Sequence, residues 1–275
     1  MMLSDLGAMM LEKLDTGTVH PARRYNYWLG GKDNFAVDRE SGDLLAKSYP
    51  AARIAARANR AFLQRAVRYL AVEAGIRQFL DIGTGLPSAD NTHEVAQRIA
   101  PDARIVYADN DPMVMAHARA LLTSTPEGLT RYIEEDLREP ERILAHADLV
   151  EALDLDRPVA LMLVAVVHFL SDQATARNVV QTLMGALPSG SYLAMSCATK
   201  DFLTPELAAN WDETLRTGKS DVHPRDRAAF GEFFAGLDLV EPGIVAVGEW
   251  RPDPDAEEKP LPVNASIFGA VARKP

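Results

Sequence analysis

The sequence predicts an α/β fold, a mostly parallel sheet with helices on both faces. Short apolar runs alternate with stretches of helical spacing along most of the 275 residues. Three of those runs are almost continuously apolar, as strands buried on both faces should be. The first run ends in a glycine turn, Gly83-Thr84-Gly85, that opens towards a helix. Strand, helix and strand in this order build right-handed βαβ units and a parallel sheet.

Taken in order, residues 1–52 differ from the rest. They hold the aromatic and basic stretch HPARRYNYWLGGKDNF and the turn pairs Gly30-Gly31 and Tyr49-Pro50, and read as an N-terminal extension with short helices. Residues 53–275 read as the main domain. A helix spans about Arg53 to Glu73, with Ile54, Ala58, Ala61, Phe62, Tyr69 and Leu70 spaced to face a core. Arg53, Arg57, Arg60, Gln64 and Arg68 form the opposite stripe. That stripe is a solvated face, or else an anion or acceptor contact at Arg57 or Arg60. The strands QFLDI, RIVYAD, TRYIEE, PVALMLVAVV and SYLAMSC follow, separated by helices at Asn91–Ala100, Pro112–Leu122, Glu139–Leu149 and Asp172–Leu187. Helices near Thr204–Leu215 and Arg225–Leu237 and two last strands near Gly243–Val247 and Ser266–Ala272 complete a seven-stranded sheet. The polar, proline-rich loop RPDPDAEEKPLP joins those last strands, its acids solvated.

Composition narrows the function. At 47% hydrophobic and 25% charged, the chain can bury a sizeable core. A formal net charge of −10 argues against non-specific nucleic-acid binding, which needs clustered cations on phosphates. The longest apolar run, Val159–Val167, has the length of a strand rather than a membrane span. The start, MMLSDLGAMMLEKLD, carries acids and lacks a basic n-region followed by an apolar stretch, so no secretory signal is expected and a cytoplasmic protein is. One cysteine, Cys197, rules out an internal disulfide and reads as buried and inert. The six histidines are dispersed without HxxxH or a His/Cys cluster, so no metal site is expected. Ser88 and Ser196 lack the G-x-S-x-G elbow of a hydrolase. Trp211 and Trp250 read as packing residues.

The chemistry concentrates at three strand ends. Asp81 sits two residues before Gly83; Asp109 ends the second strand; Asp136, followed by Leu137, ends the third. In an open α/β sheet, ligands bind outside the carboxyl ends of the strands, where all three acids would meet in one cleft. A carboxylate after the second strand can accept both hydroxyls of a ribose. One after the third can accept from an adenine amino group, with Leu137 against the ring. Asp81 lies where a cationic amino group would sit. Each acid alone could be an N-cap or turn residue; in register with the strands, they describe a site for a cationic nucleoside. Such a cleft repels a pyrophosphate, and Ser88 occupies the last position of an otherwise possible G-x-G-x-x-G, so a nicotinamide-dependent oxidoreductase is disfavoured.

DIGTG, ADNDP and EEDL resemble motifs I, post-I and II of the class I S-adenosylmethionine-dependent methyltransferases. More narrowly, the chain resembles a bacterial family of S-adenosyl methyltransferases formerly classed as a domain of unknown function. The matching stretches are HPARRYNYWLGGKDNF, ARANRAFLQRAVRYL, FLDIGTGLPSADNTHEVAQ, VYADNDPMV, VVHFLSD and FFAGLDLVEPGIV with EWRP. The resemblance implies a Rossmann-like class I fold and S-adenosyl-L-methionine as cofactor. It implies that Asp81, Gly83, Thr84 and Gly85 hold the methionine end, Asp109 and Asn110 the ribose, and Asp136 and Leu137 the adenine. The wider class has glycine where this chain has Pro87, so the loop beyond Gly85 must differ.

The fourth strand ends at Val166-Val167-His168-Phe169, the edge that faces the transferred methyl group in the class. His168 is a candidate base for an oxygen or nitrogen nucleophile, or a histidine that only bonds backbone. His20 to Phe35 is a candidate lid, with Tyr25, Tyr27 and Trp28 offering ring faces and Arg23 or Arg24 a fork for a carboxylate; Arg23 and Tyr27 are the residues expected to reach the cofactor. The alternative is a structural cap. His93 reads as structural. The expected function is methylation of a small-molecule acceptor at oxygen or nitrogen, with no nucleic-acid or membrane partner and a homo-oligomer allowed. The alternative is a non-catalytic S-adenosylmethionine sensor or scaffold.

Overall fold

The computed structural model describes residues 15–121, 123–254 and 259–275. Residues 1–14, Leu122 and the acidic centre of the 251–262 loop therefore lie outside the described residues.

The sheet has the order β3-β2-β1-β4-β5-β8-β6, with β7 also beside β8. Strands β1 (Gln78–Ile82), β2 (Arg104–Asp109), β3 (Leu129–Glu134), β4 (Ala160–Val164) and β5 (Tyr192–Ala198) are parallel. β8 (Ile267–Arg273) runs antiparallel to β5 across seven residue pairs. The seventh sheet position is split. β6 (Asp238–Leu239) and β7 (Val245–Ala246) pair with different stretches of β8, interrupted by Pro242 and by Gly243 at φ 81°. Chain order reverses between β1 and β4, which opens the crevice used by ligands in doubly wound sheets.

Two cores sandwich the sheet. One is centred on Leu80, Leu161, Leu193 and Phe268, and the other on Phe62, Phe79, Val271 and Trp250. The second lies under α3 (Ala52–Val72). The inward phase of α3 runs through Ala52, Ala55, Asn59, Phe62, Ala66 and Leu70. Ile54 falls off that phase and is 39% exposed, against the sequence expectation. Arg53, Arg57 and Arg68 face outward as expected, but Arg65 is buried. Its Nε donates to Trp250 O at 2.9 Å and its Nη2 to Val247 O at 2.6 Å, so a buried cation ties α3 to the C-terminal region.

α4 (Thr92–Ile99) and α5 (Pro112–Leu121) match the sequence reading closely. The helix expected over 139–149 is two, α6 (Pro140–Ala145) and α7 (Ala147–Ala152), because His146 is extended and its Nδ1 caps the second by accepting from Asp148 N. α8 spans Gln173–Gly185 and α9 Pro205–Arg216. The helix expected from Arg225 is the short α10 (Arg227–Gly231), followed by a 3₁₀ turn, Glu232–Phe234. Arg225 stays outside it, buried, donating to the carbonyls of Val167 and Leu170. Among the described residues no helix is long and apolar enough to cross a membrane.

The N-terminal segment forms α1 (Pro21–Trp28) and α2 (Ala36–Ser48). His20 caps α1 and Pro21 starts it, a position where the missing N–H costs nothing. His20 Nδ1 lies 3.2 Å from Asp111 and Arg23 Nε 3.4 Å from it, so α1 is tied to the loop after β2.

Candidate active site

One cavity of about 530 Å³ lies across the carboxyl ends of β1, β2, β4 and β5, well inside the range of small-molecule sites, roughly 300–1,000 Å³. Asp81, Gly83, Thr84, Gly85, Asp109, Asn110, Asp136 and Leu137 all line it. All eight residues beyond the N-terminal extension that were expected to hold the cofactor thus line one cavity.

Asp81 is 4% exposed and its Oδ2 accepts from Thr92 Oγ1 at 2.5 Å. Burial raises its pKa to about 6, against the opposing effects of that hydrogen bond and of Arg60. Asp109 accepts from Gly85 N at 2.9 Å and from Asp111 N at 3.0 Å, so its carboxylate welds the glycine turn to the loop after β2. Burial raises its pKa too. Asp136 sits at the rim. Its hydrogen bond from Arg138 is the main cause of a pKa lowered to about 2, and Asn110 Nδ2 donates to it at 2.9 Å. Below the rim, Leu137 is buried.

The turn itself depends on Gly83, whose φ is +73° and whose N–H donates to Ala108 O at 2.8 Å. A Cβ there would lie 2.3 Å from Val166 Cγ2. Beyond Gly85 the chain runs through buried Leu86 and through Pro87 before α4 begins at Thr92, capped by Asn91 and Glu94. The helix N-terminus is thus displaced from the glycine turn, which removes the usual cradle for a pyrophosphate.

His168 also lines the cavity, in a 3₁₀ turn after β4. Its Nδ1 accepts from Ala198 N at 3.3 Å. That bond assigns the proton to Nε2. Burial lowers its pKa to about 3. At neutral pH the ring is uncharged and offers an Nε2–H donor, which speaks against the expected role of general base. His93 is structural as expected, bonded through N–H and Nδ1 to Tyr107 Oη.

The expectations for Arg23 and Tyr27 are also corrected. Neither lines the cavity. Arg23 donates to Asp15 O and Thr18 O and lies in an ion pair with Asp111. Tyr27 Oη donates to Asp43, and Arg53 covers its ring. Helical phase turns the alternatives inward instead, so Arg24, Tyr25 and Trp28 face the cavity with His20. Arg60 lines it from α3; it donates to Ala89 O and Asn91 Oδ1, and its buried Nε has no partner. Tyr49, Trp211 and Asp221 complete the far wall. Nothing in their spacing marks them, since they come from separate loops and helices.

The walls fit S-adenosylmethionine. Carboxylates at Asp81 and Asp109 match a cationic amino acid and a ribose diol, Leu137 offers an apolar face, and Arg60 lines the same cavity as Asp81. No cluster of His, Cys, Asp and Glu suited to a metal occurs among the described residues.

Comparison with curated proteins yields no match. Among solved structures the chain is similar to a DUF574 family protein from Streptomyces avermitilis, with 48% identity over 95% of this chain and 99% of that one and a TM-score of 0.88. It is also similar to a candidate methyltransferase from Thermobifida fusca, with 41% identity over 94% and 96% of the two chains and a TM-score of 0.85. The sequence profile of the S-adenosyl methyltransferase family matches residues 8–275. With the fold, the cavity and that match together, the chain belongs to the S-adenosyl methyltransferase family and is an S-adenosylmethionine-dependent methyltransferase.

Proposed function

We propose that the enzyme methylates a small molecule at oxygen or nitrogen in the half of the cavity beyond β4, between α1, α3 and α9. The observation that carries this reading is the continuity of one cavity from the three carboxylates to an aromatic chamber at Trp28, Tyr49 and Trp211. When bound, S-adenosylmethionine supplies an electrophilic methyl group on a sulfonium. Asp81 and Arg60 would hold the amino and carboxylate groups, Asp109 the ribose, and Asp136 with Leu137 the adenine. Val166, against Gly83, and His168 stand where the two halves of the cavity meet and would position the acceptor. Positioning is the main demand, because an in-line displacement needs a near-attack geometry more than added functional groups. The cavity volume of about 530 Å³ and the net charge of −10 support a small acceptor over a nucleic acid. A single buried cysteine supports a cytoplasmic setting.

Calorimetric titration with S-adenosylhomocysteine and NAD tests the cofactor half. Micromolar binding of the first alone is expected; preference for NAD overturns the assignment of residues. The pH dependence adds a sharper test. Asp81 must be ionised to attract an ammonium, and its pKa is about 6. Affinity is therefore full at pH 8 and falls as the carboxylate protonates. At pH 5 about one-tenth remains ionised, so about tenfold is lost. Asp81→Asn should bind weakly and lose most of this pH dependence. A wild-type profile that is itself flat removes Asp81 from the site.

A further inference from the structure

The acceptor half of the cavity has an uneven distribution of polar groups. Its aromatic side chains spend their polar atoms on the protein. Tyr25 Oη donates to Ala56 O, Tyr49 Oη to Val263 O, Trp28 Nε1 to Gly42 O and Trp211 Nε1 to Val222 O. Asn59 is equally occupied, donating to Tyr25 Oη and accepting from Ser196 Oγ. These residues present ring faces and stems to a ligand, not hydrogen-bond partners.

Unspent donors gather at one end. Arg24 has a side chain only 4% exposed, yet its one ion-pair partner, Asp221, is 42% exposed. Its other contact is a long hydrogen bond to Ser41 Oγ at 3.4 Å. A guanidinium has five donors, so most of its capacity is free. Its plane lies over Trp28, 5.7 Å from the ring centre. His168 lines the same chamber with a free Nε2–H, and Asp221 and Arg24 both act on it electrostatically. A buried cation held by one half-solvated carboxylate is an ion pair that a competing anion can enter, because bidentate Arg–carboxylate geometry is strong and Asp221 can return to water.

We propose that the acceptor is a flat, largely apolar molecule carrying an anion-forming oxygen, a carboxylate or phenolate, and that Arg24 binds this oxygen in competition with Asp221 while His168 Nε2–H donates to it. The inference rests on the cofactor reading above. It also fits the Nε2–H donor that His168 presents to the chamber. An ionised oxygen has given its proton to solvent before it binds. Its lone pair forms the new bond to the methyl carbon, and the electrons of the broken carbon–sulfur bond stay on sulfur, so no proton remains to be moved.

Binding of model ligands to protein saturated with S-adenosylhomocysteine tests this, read by quenching of Trp28 and Trp211 fluorescence and by calorimetry. The probes are 2-naphthoate and its neutral counterpart 2-naphthamide. The expected result is at least tenfold tighter binding of naphthoate. Arg24→Gln should erase that preference and leave S-adenosylhomocysteine affinity within about twofold. Asp221→Asn, which removes the competitor and does not depend on Arg24→Gln folding, should tighten naphthoate severalfold. Equal binding of the two probes, absence of naphthoate binding, a preference that survives Arg24→Gln, or an unchanged Asp221→Asn would each overturn the proposal. Failure of the protein to bind S-adenosylhomocysteine in the first titration would instead strike the cofactor reading, so the two failures are distinguishable.

Discussion

Asp109→Asn is expected to weaken S-adenosylhomocysteine binding by at least a hundredfold while the protein stays folded. The carboxylate is 94% buried and accepts from Gly85 N and Asp111 N, which leaves its remaining lone pairs for a ribose diol. Hydrogen bonds to a charged group contribute about 1.5–3 kcal/mol each, so two lost hydroxyl contacts amount to roughly 3–6 kcal/mol. The effect on stability is smaller. Asparagine keeps one of the two backbone bonds and turns an N–H against the other, which costs about 1–3 kcal/mol. Removing a charge whose buried form is disfavoured offsets part of that loss. Calorimetry gives the affinity and a thermal melt gives the stability. Affinity within a factor of three of wild type would show that Asp109 serves the two loops alone.

Gly83→Ala should be among the most damaging single-methyl additions in the molecule. At φ +73° an L-residue is strained by about 1–2 kcal/mol. The new Cβ would also stand 2.3 Å from Val166 Cγ2, and relieving such overpacking costs about 1–3 kcal/mol more. The sum, about 2–5 kcal/mol, lowers the melting temperature by on the order of 10 °C in a chain of this size. Gly85→Ala is the internal control. It has a similar φ of +67° but meets only Ala22 Cβ, at 3.9 Å, so it carries the backbone strain alone. In a Val166→Ala background Gly83→Ala should cost less, with a coupling of about 1 kcal/mol or more, as expected for residues in contact. Equal melting losses for the two glycine variants would show that Val166 yields freely.

Much of the fold was legible because parallel strands buried on both faces have a composition that helices between them lack. QFLDI, RIVYAD and SYLAMSC became β1, β2 and β5 with ends within one residue of those expected. The C-terminal third was harder. The seventh sheet position holds two fragments of two residues each, too short for any alternation to register. His146 broke a helix that its neighbours' spacing would have continued, because its side chain bonds Asp148 N and makes a cap. Ile54 misled in the same way, since a stripe rich in alanine leaves the inward phase of a helix weakly marked.

The parallel sheet, the glycine turn and the three acids were all readable from the order of residues. Strand ends converge on one side of a parallel sheet whatever surrounds them, so Asp81, Asp109 and Asp136 could be placed together from their register alone. Which arginine faces inward, and which nitrogen of His168 carries the proton, depends on contacts between distant segments. Arg23 and Arg24 are adjacent in sequence and point to opposite sides of α1, one to Asp111 and the other to Asp221, 197 residues away. The backbone N–H that fixes the His168 tautomer comes from Ala198 in the neighbouring strand. Those contacts join distant segments, and the state of a buried titratable group depends on what the fold packs against it more than on its neighbours in the chain.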